Sequence, residues 1–207
     1  MKTIKEFKSA ARQSLSGKWL TAALCTLVYF LIFYVAPELI ILPYDDESSL
    51  GTSFYEYIIM MLLLPLYWGY IVLFLNVARD NSCQMGSLFH GFSDYGRIFG
   101  TMLLQTVYIC LWTLLLIIPG IIKTYSYALT PYILKDNPEL SFNGAIDKSM
   151  AMMKGHKMDL FLLDLSFIGW LILGIVTLCI GFLWISPYWQ TARTHFYLDL
   201  MAEQELQ

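Results

Sequence analysis

Six apolar runs alternate with short polar stretches along the chain. A helix that crosses a bilayer needs about 20 mostly apolar residues. The runs predict transmembrane helices over residues 19–42, 57–78, 98–118, 121–134, 160–178 and 182–200, with tight turns at Pro119-Gly120 and Gly181. The run at 121–134 is the shortest. As a helix it would reach only about 21 Å, which is less than the roughly 30 Å thickness of the hydrocarbon core. It therefore also fits a broken or re-entrant helix.

Three amphipathic stretches, over residues 3–16, 86–95 and 139–154, each precede one pair of apolar runs. Each stretch leads into a glycine followed by a basic residue: Gly17-Lys18, Gly96-Arg97 and Gly155-His156-Lys157. A glycine allows the chain to turn into the membrane, and a basic side chain suits the headgroup region. The pattern predicts one all-α domain, 1–207. It would be a six-helix transmembrane bundle of three hairpins, each preceded by a cytoplasmic amphipathic helix. Three similar units of this kind would form an internal threefold repeat. The alternative is that Gly-basic pairs at the membrane interface recur by chance.

Composition supports a membrane location. The chain of 207 residues is 57% hydrophobic and 14% charged, with a mean hydropathy of +0.58. Soluble domains carry about 25% charged residues. The net charge of −3 gives no basic footprint for nucleic acid. The four cysteines show no metal-ligand or disulfide-framework spacing.

The distribution of basic residues predicts the orientation. Eleven of the 13 Lys and Arg residues fall in residues 1–18, 79–97 and 135–158, whereas the loop at 43–56 has none and is acidic. Under the positive-inside rule both termini are cytoplasmic. The basic amphipathic stretches predict contact with anionic lipids of the inner leaflet.

Four charged residues lie within the apolar runs: Glu38, Lys123, Asp164 and Arg193. A charge in the hydrocarbon costs roughly 2.5–3.5 kcal/mol on insertion scales, so each should have a partner. Helical rise places Glu38 at the depth of Lys123, and Asp164 at the depth of Arg193. Either pair could lock helices together, or it could form a relay or a substrate contact.

The fourth and sixth runs are rich in hydrogen-bonding side chains, which should face inward rather than toward lipid. With Arg193, the candidates for a polar cavity are Tyr127, Thr130, Tyr188, Gln190 and His195. The alternative is a filled bundle whose helices are joined by the same groups.

Catalytic, metal-binding and cofactor-binding motifs are not found in the sequence. The three histidines lack metal-ligand spacing to one another, and no nucleophile elbow or phosphate-binding loop occurs. We therefore predict a non-catalytic protein without a cofactor.

Several segments of the C-terminal half resemble a family of bacterial multi-pass membrane proteins known as domain of unknown function nine-seven-five. They are LLIIPGIIKTYSYALTPYIL (115–134), NPELS (137–141), MMKG (152–155), DLSFIGW (164–170) and GFLWISPY (181–188). The resemblance implies a location in the bacterial cytoplasmic membrane and brings no activity or established site residues.

Two functions follow from these observations. The first is transport of a small solute, or lipid handling, through a polar cavity near Arg193, because prolines 65, 131 and 187 suggest broken helices of the kind found at transporter sites. The second is a membrane scaffold that organises lipid or partner proteins. The substrate and the oligomeric state are left open.

Overall fold

The described part of the chain, in a computed structural model, is helical throughout. It comprises residues 2–41, 49–140, 142–177 and 179–205. A π-helical turn (Leu31–Val35) and a 3-10 helix (Met85–Phe92) lie between α-helices. The α-helices are α1 (Ile4–Leu15), α2 (Trp19–Phe30), α3 (Ala36–Ile41), α4 (Ser49–Leu62), α5 (Leu64–Asp80), α6 (Tyr95–Leu115), α7 (Ile117–Ser126), α8 (Thr130–Asp136), α9 (Phe142–Met152), α10 (Lys157–Leu165), α11 (Ile168–Val176) and α12 (Phe182–Glu205).

Three stretches are long and apolar enough to cross a membrane: Trp19–Ile40, Tyr95–Leu115 and Lys157–Val176. A fourth candidate consists of Phe54–Leu62 and Leu64–Asp80, which meet at a bend of 44°. The all-helical class is thus confirmed, with three or four candidate spans among the described residues instead of six uniform ones. Helix α4 begins at Ser49, so residues 49–56 of the loop predicted at 43–56 are helical, and residues 42–48 lie outside the described part.

The predicted turn at Pro119-Gly120 is wrong. The chain breaks at Leu116, which is extended (φ −160°, ψ 140°), and Pro119 lies in the first turn of α7. Proline is tolerated there because the first amides of a helix have no intrahelical partner. The segment at 121–134 is broken, which was one of the two alternatives for this short run: α7 ends at Ser126 and α8 begins at Thr130 with a proline in its first turn.

The amphipathic stretch at 3–16 forms α1, as predicted. Phe7, Ala11 and Leu15 recur at four-residue spacing and are buried. Thr3 and Glu6 form a capping box at its N-terminus, and the bonds from Thr3 lower the pKa of the Glu6 carboxyl.

Two of the three predicted glycine turns are present. Gly17 (φ +76°) and Gly155 (φ +93°) adopt the left-handed conformation that only glycine enters without strain. Gly96 instead lies inside α6.

Each amphipathic segment packs against the pair of helices that precedes it in the chain, and α1, which has no preceding pair, packs against the last helix. Helix α1 packs against α12, the 3-10 helix against α5, and α9 against α8 and α6. Each amphipathic segment thereby covers the second helix of a hairpin. Helices α5, α8 and α12, here called the inner helices, carry much of the buried core.

The 3-10 helix approaches α5 at backbone contact distance. A Cβ atom added to Gly69 would lie 2.0 Å from the Leu88 carbonyl oxygen, and one added to Gly91 would lie 2.1 Å from that of Pro65. Glycine is therefore the residue that permits this packing.

Burial is uneven along the hairpins. The turn between α6 and α7 exposes five consecutive apolar side chains, residues 114–118, at 63–87% of their surface. The core around the inner helices, in contrast, includes large side chains with almost no exposed area, such as Phe74 and Phe196. One end of the bundle is thus closely packed and the other presents apolar surface.

Candidate functional site

Arg193 and Asp164 form the ion pair that their matching depths predict. Arg193 Nε lies 3.0 Å from Asp164 Oδ1, and a terminal guanidinium nitrogen lies 2.7 Å from Oδ2. The Trp189 indole donates a further hydrogen bond of 2.7 Å to Asp164 Oδ1, and the Arg193 guanidinium carbon stands 4.9 Å from the centre of the Trp189 ring. The pair therefore joins α10 to α12 through a bidentate, largely enclosed contact.

A second polar cluster lies between α8 and α12. The Gln190 amide donates to the Tyr132 hydroxyl at 2.8 Å, and the Thr194 hydroxyl lies 3.5 Å from the same oxygen. Thr194 also donates to the Gln190 carbonyl. The Tyr132 and Tyr197 rings stack with centres 4.9 Å apart. These groups are buried and bond to one another, which is the arrangement of a filled bundle.

Asp136 connects all three inner helices. The Arg79 guanidinium on α5 donates one bond of 2.6 Å to each carboxylate oxygen of Asp136 on α8. The Tyr197 hydroxyl on α12 donates to Oδ2 of the same carboxylate. Sequence reasoning missed this hub because both charges lie just outside apolar runs and read as solvated loop residues. The available signal was that Arg79 directly follows one run and Asp136 lies two residues after another.

Ser149 of α9 bridges the break between α7 and α8. Its hydroxyl donates to the Ser126 carbonyl at 2.9 Å and accepts from the Leu129 amide at 3.2 Å. These are backbone groups left free where one helix ends and the next begins. Thr130, at the same break, is fully buried, and its hydroxyl has no hydrogen-bond partner among the described residues.

The predicted pairing of Glu38 with Lys123 is wrong. The Lys123 ammonium lies 3.7 Å from Met150 Sδ and over the Trp112 and Tyr127 rings, at 4.9 and 5.7 Å. Glu38 is exposed on α3, and α3 makes its described contacts with α4 and the π-helical turn. The depth count failed because it measured Lys123 from a turn that lies three residues farther along the chain than the real break.

The remaining candidates are dispersed. The His195 ring nitrogen Nε2 lies 2.9 Å from the Ser14 hydroxyl and so connects α12 to α1. Tyr127 is buried beside Tyr108. Tyr188 is buried among aromatic rings near Arg12 of α1. Within the described residues no group of three or more His, Cys, Asp or Glu side chains is placed to hold a metal ion.

Together these contacts join helices to one another. Arg193, Asp136 and Tyr132 each link two or three helices, and in each cluster the polar atoms face other protein atoms. The chemistry that the arrangement supports is helix association through hydrogen bonds and ion pairs between side chains.

Comparison with known proteins gave a family match that covers nearly the whole chain. The model of the family described as "Protein of unknown function (DUF975)" matches residues 1–126 and 113–204. No curated protein and no solved structure matched the chain. Because the two matched ranges overlap and together span almost every residue, the chain belongs to the DUF975 family.

Proposed function

We propose that this protein is a non-catalytic integral protein of the bacterial cytoplasmic membrane that binds and organises anionic lipids of the inner leaflet. Its six apolar segments enter the membrane as three hairpins, and both termini lie in the cytoplasm. The positive-inside distribution of Lys and Arg supports this orientation. The apolar surface at the α6–α7 turn supports contact with lipid chains.

The observation that carries the proposal is the packing around Arg193. A transport route through this region would need polar groups that face an open space. Instead, the guanidinium is occupied by Asp164, and Gln190 and Thr194 are occupied by Tyr132. The groups that could have lined a solute path are engaged with one another, which favours the scaffold over transport.

The surface of the amphipathic segments supports lipid binding. Lys5 and Arg12 of α1 are exposed, and neither has a carboxylate partner among the described residues. Each basic side chain near an anionic membrane surface contributes about 1 kcal/mol to attraction. The functional surface is therefore the outside of the bundle.

Native mass spectrometry of the full-length protein tests the proposal. The protein is released from bilayers that contain phosphatidylglycerol and phosphatidylcholine with matched acyl chains. We expect retained lipids to be enriched in phosphatidylglycerol relative to the bilayer. Retention in the bilayer ratio would contradict lipid selectivity. Solute-dependent swelling of protein-containing vesicles, absent from protein-free ones, would favour transport instead.

A further inference from the structure

A groove lined by aromatic rings opens on the bundle surface where the first and third hairpins meet. It encloses about 300 Å³ between α1–α2 and α11–α12. Six side chains line it, of which one is cationic and the rest are aromatic or aliphatic: Arg12, Trp19, Trp170, Trp184, Ile185 and Tyr188. Three of the six tryptophans of the chain thus surround one groove.

Tyr188 forms the floor of this aromatic groove. Its ring is buried and packs against Trp19 and Trp170, with ring centres 6.1 Å apart in each case, and edge-on against Phe167 at 5.1 Å. Trp170 and Trp184 keep 41% and 43% of their surface exposed. The floor is therefore fixed by packing, while the walls remain accessible from the surface that faces lipid.

Positive charge accompanies the groove at its α1 side. The Arg12 guanidinium carbon lies 5.9 Å from the centre of the Tyr188 ring. The Lys8 ammonium donates to the Ser166 carbonyl at 2.7 Å and lies 4.4 Å from the centre of the Phe167 ring. Two nearby carboxylates are engaged elsewhere: Glu6, on the same helix, accepts bonds from Thr3, and Asp164 is bound by Arg193. Arg12 thus remains available to an anion from outside the bundle.

Cationic charge beside an apolar aromatic groove matches the chemistry of an amphiphile with a negative headgroup. Arg12 lies on α1, directly before the first candidate span, which begins at Trp19. Its charge therefore lies close to the point where the chain enters the membrane. We propose that the groove binds an anionic glycerophospholipid, with the headgroup phosphodiester on Arg12 and an acyl chain along Trp170 and Trp184. Lys8 adds positive charge next to the headgroup. This inference rests on the proposed function and assigns it a specific site.

The volume and the lining favour a lipid over a soluble phosphate ion. A groove of 300 Å³ is at the small end of ligand pockets. It holds part of one chain, and the rest of the lipid stays in the bilayer. An inorganic phosphate would use Arg12 alone and leave the aromatic walls uncovered.

Quenching of tryptophan fluorescence by bromine-labelled lipids tests the site on the full-length protein in vesicles. Bromine on an acyl chain quenches only tryptophans that it contacts. At equal mole fraction we expect brominated phosphatidylglycerol to quench more strongly than brominated phosphatidylcholine. In the Arg12→Gln variant, the affinity for phosphatidylglycerol relative to phosphatidylcholine should fall about five-fold. This is the factor expected when one basic side chain is lost at an anionic membrane surface.

Two further variants make the test specific. Lys135→Gln removes an exposed charge that lies on α8, outside the amphipathic segments and away from the groove, and should leave the preference unchanged. Arg12→Lys keeps the charge and should retain most of it. If Arg12→Gln preserves the wild-type preference, or if millimolar inorganic phosphate displaces the brominated lipid, the proposed lipid site is wrong. An absence of any preference in the wild-type protein would instead contradict the proposed function itself.

Discussion

Replacing Asp164 with asparagine should destabilise the bundle by about 3 kcal/mol. The substitution keeps the side-chain shape but removes the charge that holds Arg193 through two hydrogen bonds. Side-chain exposure is 13% for Asp164 and 22% for Arg193, so the guanidinium would be left largely enclosed without a counter-charge. Removing one partner of a buried pair costs roughly 3–5 kcal/mol, and the residual exposure of Arg193 places the value at the lower end.

The measurement is the free energy of unfolding in mixed micelles under titration with sodium dodecyl sulfate. Asp94→Asn is the matched control, because Asp94 also pairs with an arginine but keeps 52% of its side chain exposed, and a loss below about 1 kcal/mol is expected there. The double variant Asp164→Asn with Arg193→Gln should lose less than the sum of the two single variants. If Asp164→Asn costs no more than Asp94→Asn, or if the double variant shows full additivity, the two residues do not stabilise the fold as a pair.

The reversed pair, Asp164→Arg with Arg193→Asp, separates charge from geometry. It should recover more folded protein than either single reversal, because attraction between the two positions is restored. Recovery should be incomplete, since Trp189 donates to the present carboxylate and would face a guanidinium instead. Equal loss in all three variants would contradict the pairing.

Three other predictions concern packing, the inner helices and topology. Gly69→Ala should cost about 1–3 kcal/mol of unfolding free energy, because the added Cβ would lie 2.0 Å from a backbone carbonyl oxygen and must move to about 3.4 Å from it. Gly86→Ala, whose added Cβ would meet open space, should be nearly neutral in the same titration. Asp136→Asn should cost about 2–3 kcal/mol by loss of charged bonds to two helices, and an effect below 1 kcal/mol would contradict its role as a hub. Cys179, at the turn that follows the candidate span Lys157–Val176, should react with an impermeant maleimide added to intact cells, because a helical span of that length rises about 30 Å and carries the turn across the membrane. Glu47→Cys in the acidic segment should react as well, and protection of either cysteine would contradict the proposed topology.

The sequence predicted helices well where a continuous apolar run ends at a charge or a glycine. Helix α1, with its buried stripe of Phe7, Ala11 and Leu15, follows directly from local periodicity. The Asp164–Arg193 pair was also predictable, because both depths were counted from charges at the membrane edge along continuous helical runs.

The short run at 121–134 indicated a broken helix, but the positions of the helix breaks could not be predicted in the same way. The break between α7 and α8 depends on Ser149, a residue about 20 positions later whose hydroxyl satisfies the freed backbone groups. A local pattern does not contain such a tertiary contact. Because the turn was predicted at Pro119-Gly120 and the chain breaks at Leu116, every depth counted along α7 was displaced, including that of Lys123.

The use of polar groups inside the bundle indicates where function is located. Lipid chains are as apolar as leucine, so burying apolar surface between helices gives little net gain within a bilayer, and polar contacts must specify which helices associate. In this protein Asp136 binds Arg79 and Tyr197, and Asp164 binds Arg193. Each of these carboxylates therefore binds side chains of another helix and not an external molecule. Lys5 and Arg12, which have no carboxylate partner among the described residues, lie on the amphipathic helix α1 at the surface. Recognition of an external molecule by charge is therefore expected on the outside of the bundle, at the level where the chain enters the membrane.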